Sequence, residues 1–137
     1  MNRYGFPIAL SLLALSAASP HAADEPPRVR QAGGSIAYVS GGVSEEARDS
    51  LRALAAGFNI KLVLATKGGA YLSDVDIAFD DAAGKRVLDA KSDGPWFFAK
   101  LPQGRYQVAA SANGATLRKP VNIGAQGLST VDFRWDD

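Results

Sequence analysis

Beyond Phe58 the chain alternates apolar and polar residues with a period of two, and just before it runs a single stretch with a helical period. Phe58 to Ala65 places Phe58, Ile60, Leu62 and Leu64 on one face and Asn59, Lys61 and Val63 on the other. Asp74 to Asp80 sets Val75, Ile77 and Phe79 against Asp74, Asp76, Ala78 and Asp80. Such alternation predicts strands with one buried face. Further strands are expected over Lys85–Lys91, Trp96–Phe98, Arg105–Ala110, Ala115–Ile123 and Leu128–Trp135. Asp81–Gly84, Asp93-Gly94, Pro102-Gln103-Gly104 and Asn113-Gly114 punctuate them as turns, and Asn-Gly is the strongest hairpin signal of the four. Pro120 cannot donate to a ladder, so its strand belongs at an edge or a bulge. Six or seven short strands at regular spacing predict an antiparallel β-sandwich or small barrel.

The helical stretch is equally legible. Ala47, Leu51, Leu54, Ala55 and Phe58 form one stripe, with Arg48, Asp49 and Arg52 off it. Ser44 is placed to cap, Glu45 and Glu46 complement the first turn, and Gly57 offers a stop. A helix of about three turns is not stable alone, so its stripe must pack on something. Ahead of it, Ser35–Ser40 reads as a short strand or extended arm, broken by Gly41-Gly42, and Asp24–Gly34 as a polar, aperiodic tether.

The first residues read as an export signal: Arg3, then the apolar run Ile8–Ala18, too short to span a bilayer, then small residues with cleavage expected near Ala22 or Ala23. The expected organisation is a signal over 1–23, a linker over 24–34, an arm and helix over 35–57, and a sandwich over 58–137. Removing residues 1–23 from 137 leaves 114, enough for one domain. Arg3 is lost with the signal, so fourteen Lys+Arg face fourteen Asp+Glu, and a neutral chain gives no electrostatic reason to expect nucleic acid or stable membrane attachment. The absence of Cys means the domain is held by its core alone, which suits a bacterial periplasm.

From Tyr71 to Trp135 the residues Val75-Asp76-Ile77, Ser92-Asp93-Gly94, Trp96, Phe98 and Leu101-Pro102-Gln103-Gly104-Arg105-Tyr106 stand in an order that resembles the carboxypeptidase regulatory-like domain, a transthyretin-like (prealbumin-like) β-sandwich. The resemblance implies a fold with a DG turn, two inward aromatics and an LPxGxY corner. It also implies a structural or binding role: in zinc carboxypeptidases the domain is a non-catalytic appendage, and in bacterial proteins it stands beside receptors, adhesins or secretion components. The corner makes physical sense by itself, since Tyr106 can bury its ring while its hydroxyl reaches nearby backbone. Leu101 joins the core on the Trp96/Phe98 face only if Ala99-Lys100 bulge.

Candidate chemistry is sparse. The one histidine, His21, lies at the signal's end, which removes histidine-assisted nucleophilic catalysis. Ser92 with Lys91 or Lys85 carries no supporting motif. The pairs Asp74/Asp76 and Asp80/Asp81, with Gly84, supply part of a Ca²⁺ ligand set, but polar hairpins use the same residues. The three Glu lie in the linker and the first helical turn, away from any cleft a glycosidase would need. An internal Lys61–Asn122 isopeptide bond, as in adhesin B-type sandwiches, is disfavoured because Lys61 lies opposite the core face. Neither enzyme, cofactor nor metal is expected. Phe97, opposite Trp96 and Phe98, together with Tyr71 and Trp135, forms the candidate interaction surface. The helix competes to cover that face, including Phe97. The expected partner is an envelope protein or a polysaccharide, the latter as a carbohydrate-binding accessory domain. Burial of Trp96, Phe97 and Trp135 would remove that alternative.

Overall fold

The computed structural model describes residues 27–32 and 35–137. The expected signal over 1–23 and its cleavage site lie outside the described residues, as does the start of the linker.

Two sheets face one another. The strands are β1 (Arg30–Ala32), β2 (Ile36–Gly41), β3 (Ile60–Thr66), β4 (Asp76–Asp81), β5 (Arg86–Lys91), β6 (Trp96–Lys100), β7 (Gly104–Ala112), β8 (Ala115–Ile123) and β9 (Ser129–Trp135). One sheet has the order β1-β2-β6-β3-β9 and the other β5-β4-β7-β8. The protein is thus a mainly β, antiparallel-rich sandwich with, among the described residues, a single short α-helix, α1 (Glu45–Leu54). Among the described residues seven strands follow the helix, as expected, and two precede it. Arg30–Ala32 is a correction, since it lies within the stretch read as a tether; of the two readings of Ser35–Ser40, the strand holds and the arm does not. β2 sits between β1 and β6, with Val39 opposite Phe98. A second departure is β9, which pairs parallel to β3 from Ile60↔Ser129 to Thr66↔Trp135.

The turns form as their chemistry requires. Ala112↔Ala115 closes a two-residue hairpin whose Asn113 and Gly114 have φ of 52° and 75°, the left-handed pair of a type I′ turn. Pro120 lies on β8, an edge strand. The Tyr106 hydroxyl donates to the Pro102 carbonyl at 2.7 Å, tying the corner to the strand that leaves it. Asn59 extends the β3–β6 ladder with its side chain, donating to the Leu101 carbonyl at 2.7 Å and accepting from the Leu101 N–H at 2.9 Å.

The main core lies between the sheets and includes Ile60, Leu62, Leu64, Val75, Ile77, Phe79, Val108 and Phe133. β6 reverses the expected faces. Phe97, fully buried, stacks between Tyr38 at 5.5 Å and Phe79 at 6.5 Å in the inner core. Ala99 and Leu101 follow it inward by plain alternation, so no bulge is needed. Trp96 and Phe98 point outward and form a second cluster with Val39 and Leu51, flanked by Leu54, Ala55, Phe58 and Val63. The helix therefore covers the outer face of the five-stranded sheet, over Trp96 and Phe98 but not Phe97. Phe58 belongs to this outer cluster and not to the β3 core face.

Local chemistry holds α1 in place. Ser44 Oγ accepts from the Ala47 N–H at 3.1 Å, a cap followed by Glu45 and Glu46 in the first turn. The helix closes through a short 3-10 turn over Ala55–Gly57. Leu51 is the fully buried residue that fastens it.

Candidate functional site

Of the three residues expected to form a surface, the structure leaves one in solvent. Tyr71 is 53% exposed, whereas Phe97 and Trp135 are 0% and 2% exposed. Phe97 lies inside because it shares the face of β6 that carries Ala99 and, just beyond the strand, Leu101 into the core between the sheets. Trp135 lies inside because β9 turns Phe133 and Trp135 onto the core side, their rings 6.0 Å apart. Trp135 also donates its indole N–H to the Ala115 carbonyl across the sandwich, at 3.1 Å. Trp96, at 8% exposed, lies under the helix flank. The stacked aromatic platform a carbohydrate would need is therefore not formed by these side chains.

Residues weighed for chemistry hold the frame together. Ser92 is buried, and its Oγ accepts from the Val75 N–H at 3.0 Å. Ser40 Oγ donates to the Trp96 carbonyl at 2.8 Å and accepts from the Asp93 N–H at 2.9 Å. Asp81 Oδ1 accepts from the Ala83 and Lys85 N–H groups at 3.0 and 2.9 Å, while Asp80 accepts from Arg86 Nε at 3.0 Å. Asp76 and Lys91 lie 3.7 Å apart. Asp74 and Asp76 border an open recess of about 410 Å³ under the β7–β8 hairpin, where the Ser111 and Thr116 hydroxyls share a hydrogen bond at 2.7 Å. Among the described residues no three His, Cys, Asp or Glu side chains converge as metal ligands. Lys61 is on the outer face of the five-stranded sheet, while Asn122 on β8, in register with Arg105, lies on the opposite outer face, so the two cannot condense.

What the sequence did not reveal is a strip of cations and rings along the flank of α1. Arg48 and Arg52, one helical turn apart, share that flank. The Arg48 guanidinium stacks 5.4 Å over Tyr71 and donates to the Gly42 carbonyl at 2.9 Å. Arg52 lies 5.1 Å from the Trp96 ring centre, and Lys61 Nζ approaches the same ring at 3.6 Å. Burial holds the Lys61 ammonium below the ordinary lysine range, Arg52 pushes it further the same way, and Asp132 partly opposes them. Further along the same face, β9 presents Asp132 opposite Val63 and Arg134 opposite Ala65, paired at 3.5 Å. The i, i+4 spacing of Arg48 and Arg52 was visible in the sequence. The proximity of Arg52 to Lys61 required knowing that β6 turns Trp96 outward.

Among the described residues no helix is long and apolar enough to cross a membrane. No family model matches the chain, and no curated protein matches it either.

Proposed function

We propose that the protein is an exported, non-catalytic interaction module of the bacterial cell envelope, a carboxypeptidase regulatory-like sandwich that docks a partner along the flank of α1. The observation that carries this reading is the strip formed by exposed Tyr71 with Arg48, Arg52 and Lys61 beside it. Tyr and Arg are the residues most enriched where protein partners meet. The export signal read from Arg3 and Ile8–Ala18 and the LPxGxY corner around Tyr106 support the compartment and the family in the same direction. The polysaccharide alternative has lost Phe97 and Trp135 to packing, and of the three expected rings Tyr71 alone is left to stack on a sugar.

Replacing Tyr71 with photoreactive benzoylphenylalanine in the exported protein, followed by irradiation of intact cells, tests the docking. A discrete cross-linked species is expected from position 71 and not from Arg118, on the other sheet's exposed face. Equal labelling from both positions, or none from 71, would overturn it. N-terminal sequencing of the same material is expected to begin near Ala23 or Asp24, and an intact Met1 in the membrane fraction would refute export as read.

A further inference from the structure

Three cations from two elements end on the rings of one strip. Lys61 Nζ lies 3.6 Å from the Trp96 centroid and 5.7 Å from that of Phe98. Arg52 reaches the same indole at 5.1 Å, and Arg48 covers Tyr71 at 5.4 Å. A ring face attracts a cation, but two cations on one indole repel each other. Arg52 has Asp49 as its hydrogen-bonded neighbour on the helix. Lys61 forms no ion pair among the described residues; Asp132 acts on it only through space.

We propose that this strip recognises an acidic segment of a protein partner, with a partner carboxylate bridging Lys61 Nζ and the Arg52 guanidinium beside Trp96 while Tyr71 packs on the partner's adjoining side chain. The inference rests on the interaction-module reading and adds the chemistry of the ligand. An anion between the two cations relieves the repulsion at Trp96 and supplies Lys61 with a counter-charge in a half-buried setting, where screening is weaker than in open solvent. A single exposed tyrosine flanked by arginines suits a polypeptide better than a sugar chain, which needs more ring surface.

The probe is acetylated hexaglutamate, titrated into protein recovered from cells and followed by calorimetry and tryptophan fluorescence. Hexaglutamine and an oligogalacturonate serve as the neutral peptide and the acidic carbohydrate. Binding of hexaglutamate at low salt is expected, with Lys61→Met and Arg52→Gln each weakening it about fivefold. Arg118→Gln, on the opposite outer face, is expected to leave it unchanged, and both strip variants to keep the parent melting temperature or exceed it. No binding, equal loss in Arg118→Gln, or an oligogalacturonate that binds as tightly with the same dependence on Lys61 and Arg52 would overturn the assignment. Cross-linking from position 71 separates the two levels. If it persists undiminished in a Lys61→Met/Arg52→Gln double variant, the module reading stands and acid recognition is wrong. If position 71 cross-links nothing in the parent, the module reading itself fails.

Discussion

Leu51→Ala is the sharpest test of how α1 is attached. Leu51 is fully buried and meets Val39, Trp96 and Phe98, the outward face of β2 and β6. Its Cδ1 also lies 3.7 Å and 3.6 Å from where side chains would begin at Gly41 and Gly42, so the glycines leave it room to seat. Removing three methylene-sized groups forfeits about 2.4 kcal/mol of transfer free energy at ~0.8 kcal/mol each. The backbone of β2 and the Trp96 ring cannot collapse fully into the gap, and the residual cavity brings the total to about 3 kcal/mol. With roughly 4 °C lost per kcal/mol in a domain of this size, the melting temperature should fall by about 12 °C. The urea midpoint should move by about 1.5 M for a slope near 2 kcal/mol/M. Leu54→Ala, at a partly exposed position of the same stripe, should cost only about 1 kcal/mol. Thermal and urea melts by circular dichroism read both. If Leu51→Ala melts within about 2 °C of the parent, the helix is not integral to the sandwich and the reasoning fails. Deleting everything through Gly57 would not be an equivalent experiment, because it also removes β1 and β2 from the sheet.

Other perturbations probe different forces. Gly94→Ala would drive a Cβ into the Gly41 carbonyl backbone, so a loss of several kcal/mol, or failure to accumulate as folded protein, is expected in expression and melting assays. Tyr106→Phe removes the hydroxyl bond to Pro102 and should cost about 1 kcal/mol in urea melts, whereas Leu101→Ala opens a cavity in the main core and should cost about 3 kcal/mol. Lys61 has a folded-state pKa below its unfolded value of 10.5, so the unfolded chain holds more protons in the window between them and stability should rise with pH there. Lys61→Met should flatten that rise in melts across the alkaline range; an unchanged slope would mean Lys61 is as well hydrated folded as unfolded.

Features carried by a residue's own backbone chemistry were readable from the sequence. Asn113-Gly114 demands left-handed geometry, Ser44 caps, Tyr106 reaches its corner and Pro120 goes to an edge, whatever surrounds them. β3 and β4 were readable because large apolar residues recur at every second position, Ile60, Leu62 and Leu64 on one and Ile77 and Phe79 on the other, with Lys61, Asp76 and Asp80 between them to set the phase. β6 offers no such marker. Trp96, Phe97, Phe98 and Ala99 are all buried, with the second sheet on one side and α1 on the other, so alternation gives a period without a phase. The decisive clue was Leu101, whose place in the core on plain alternation requires Phe97 to point inward. β1 was missed because a three-residue edge strand of polar character has no pattern of its own, and the strip at Trp96 was missed along with the phase of β6.

The parallel pairing of β9 with β3 bears on the order in which the molecule can be assembled. Every other neighbouring pair in the two sheets runs antiparallel, but β3 keeps one edge open until the residues from Ser129 to Trp135 arrive. In a chain that emerges from its amino end, that strand is the latest of the nine described. Until then the ladder of Ile60–Thr66 is half made and the Phe133 and Trp135 places in the core are empty. Closing the stretch between Thr66 and Ser129 costs entropy before any contact of this pair rewards it. A chain carrying such a latch completes the edge of β3 only when the strand Ser129–Trp135 has docked.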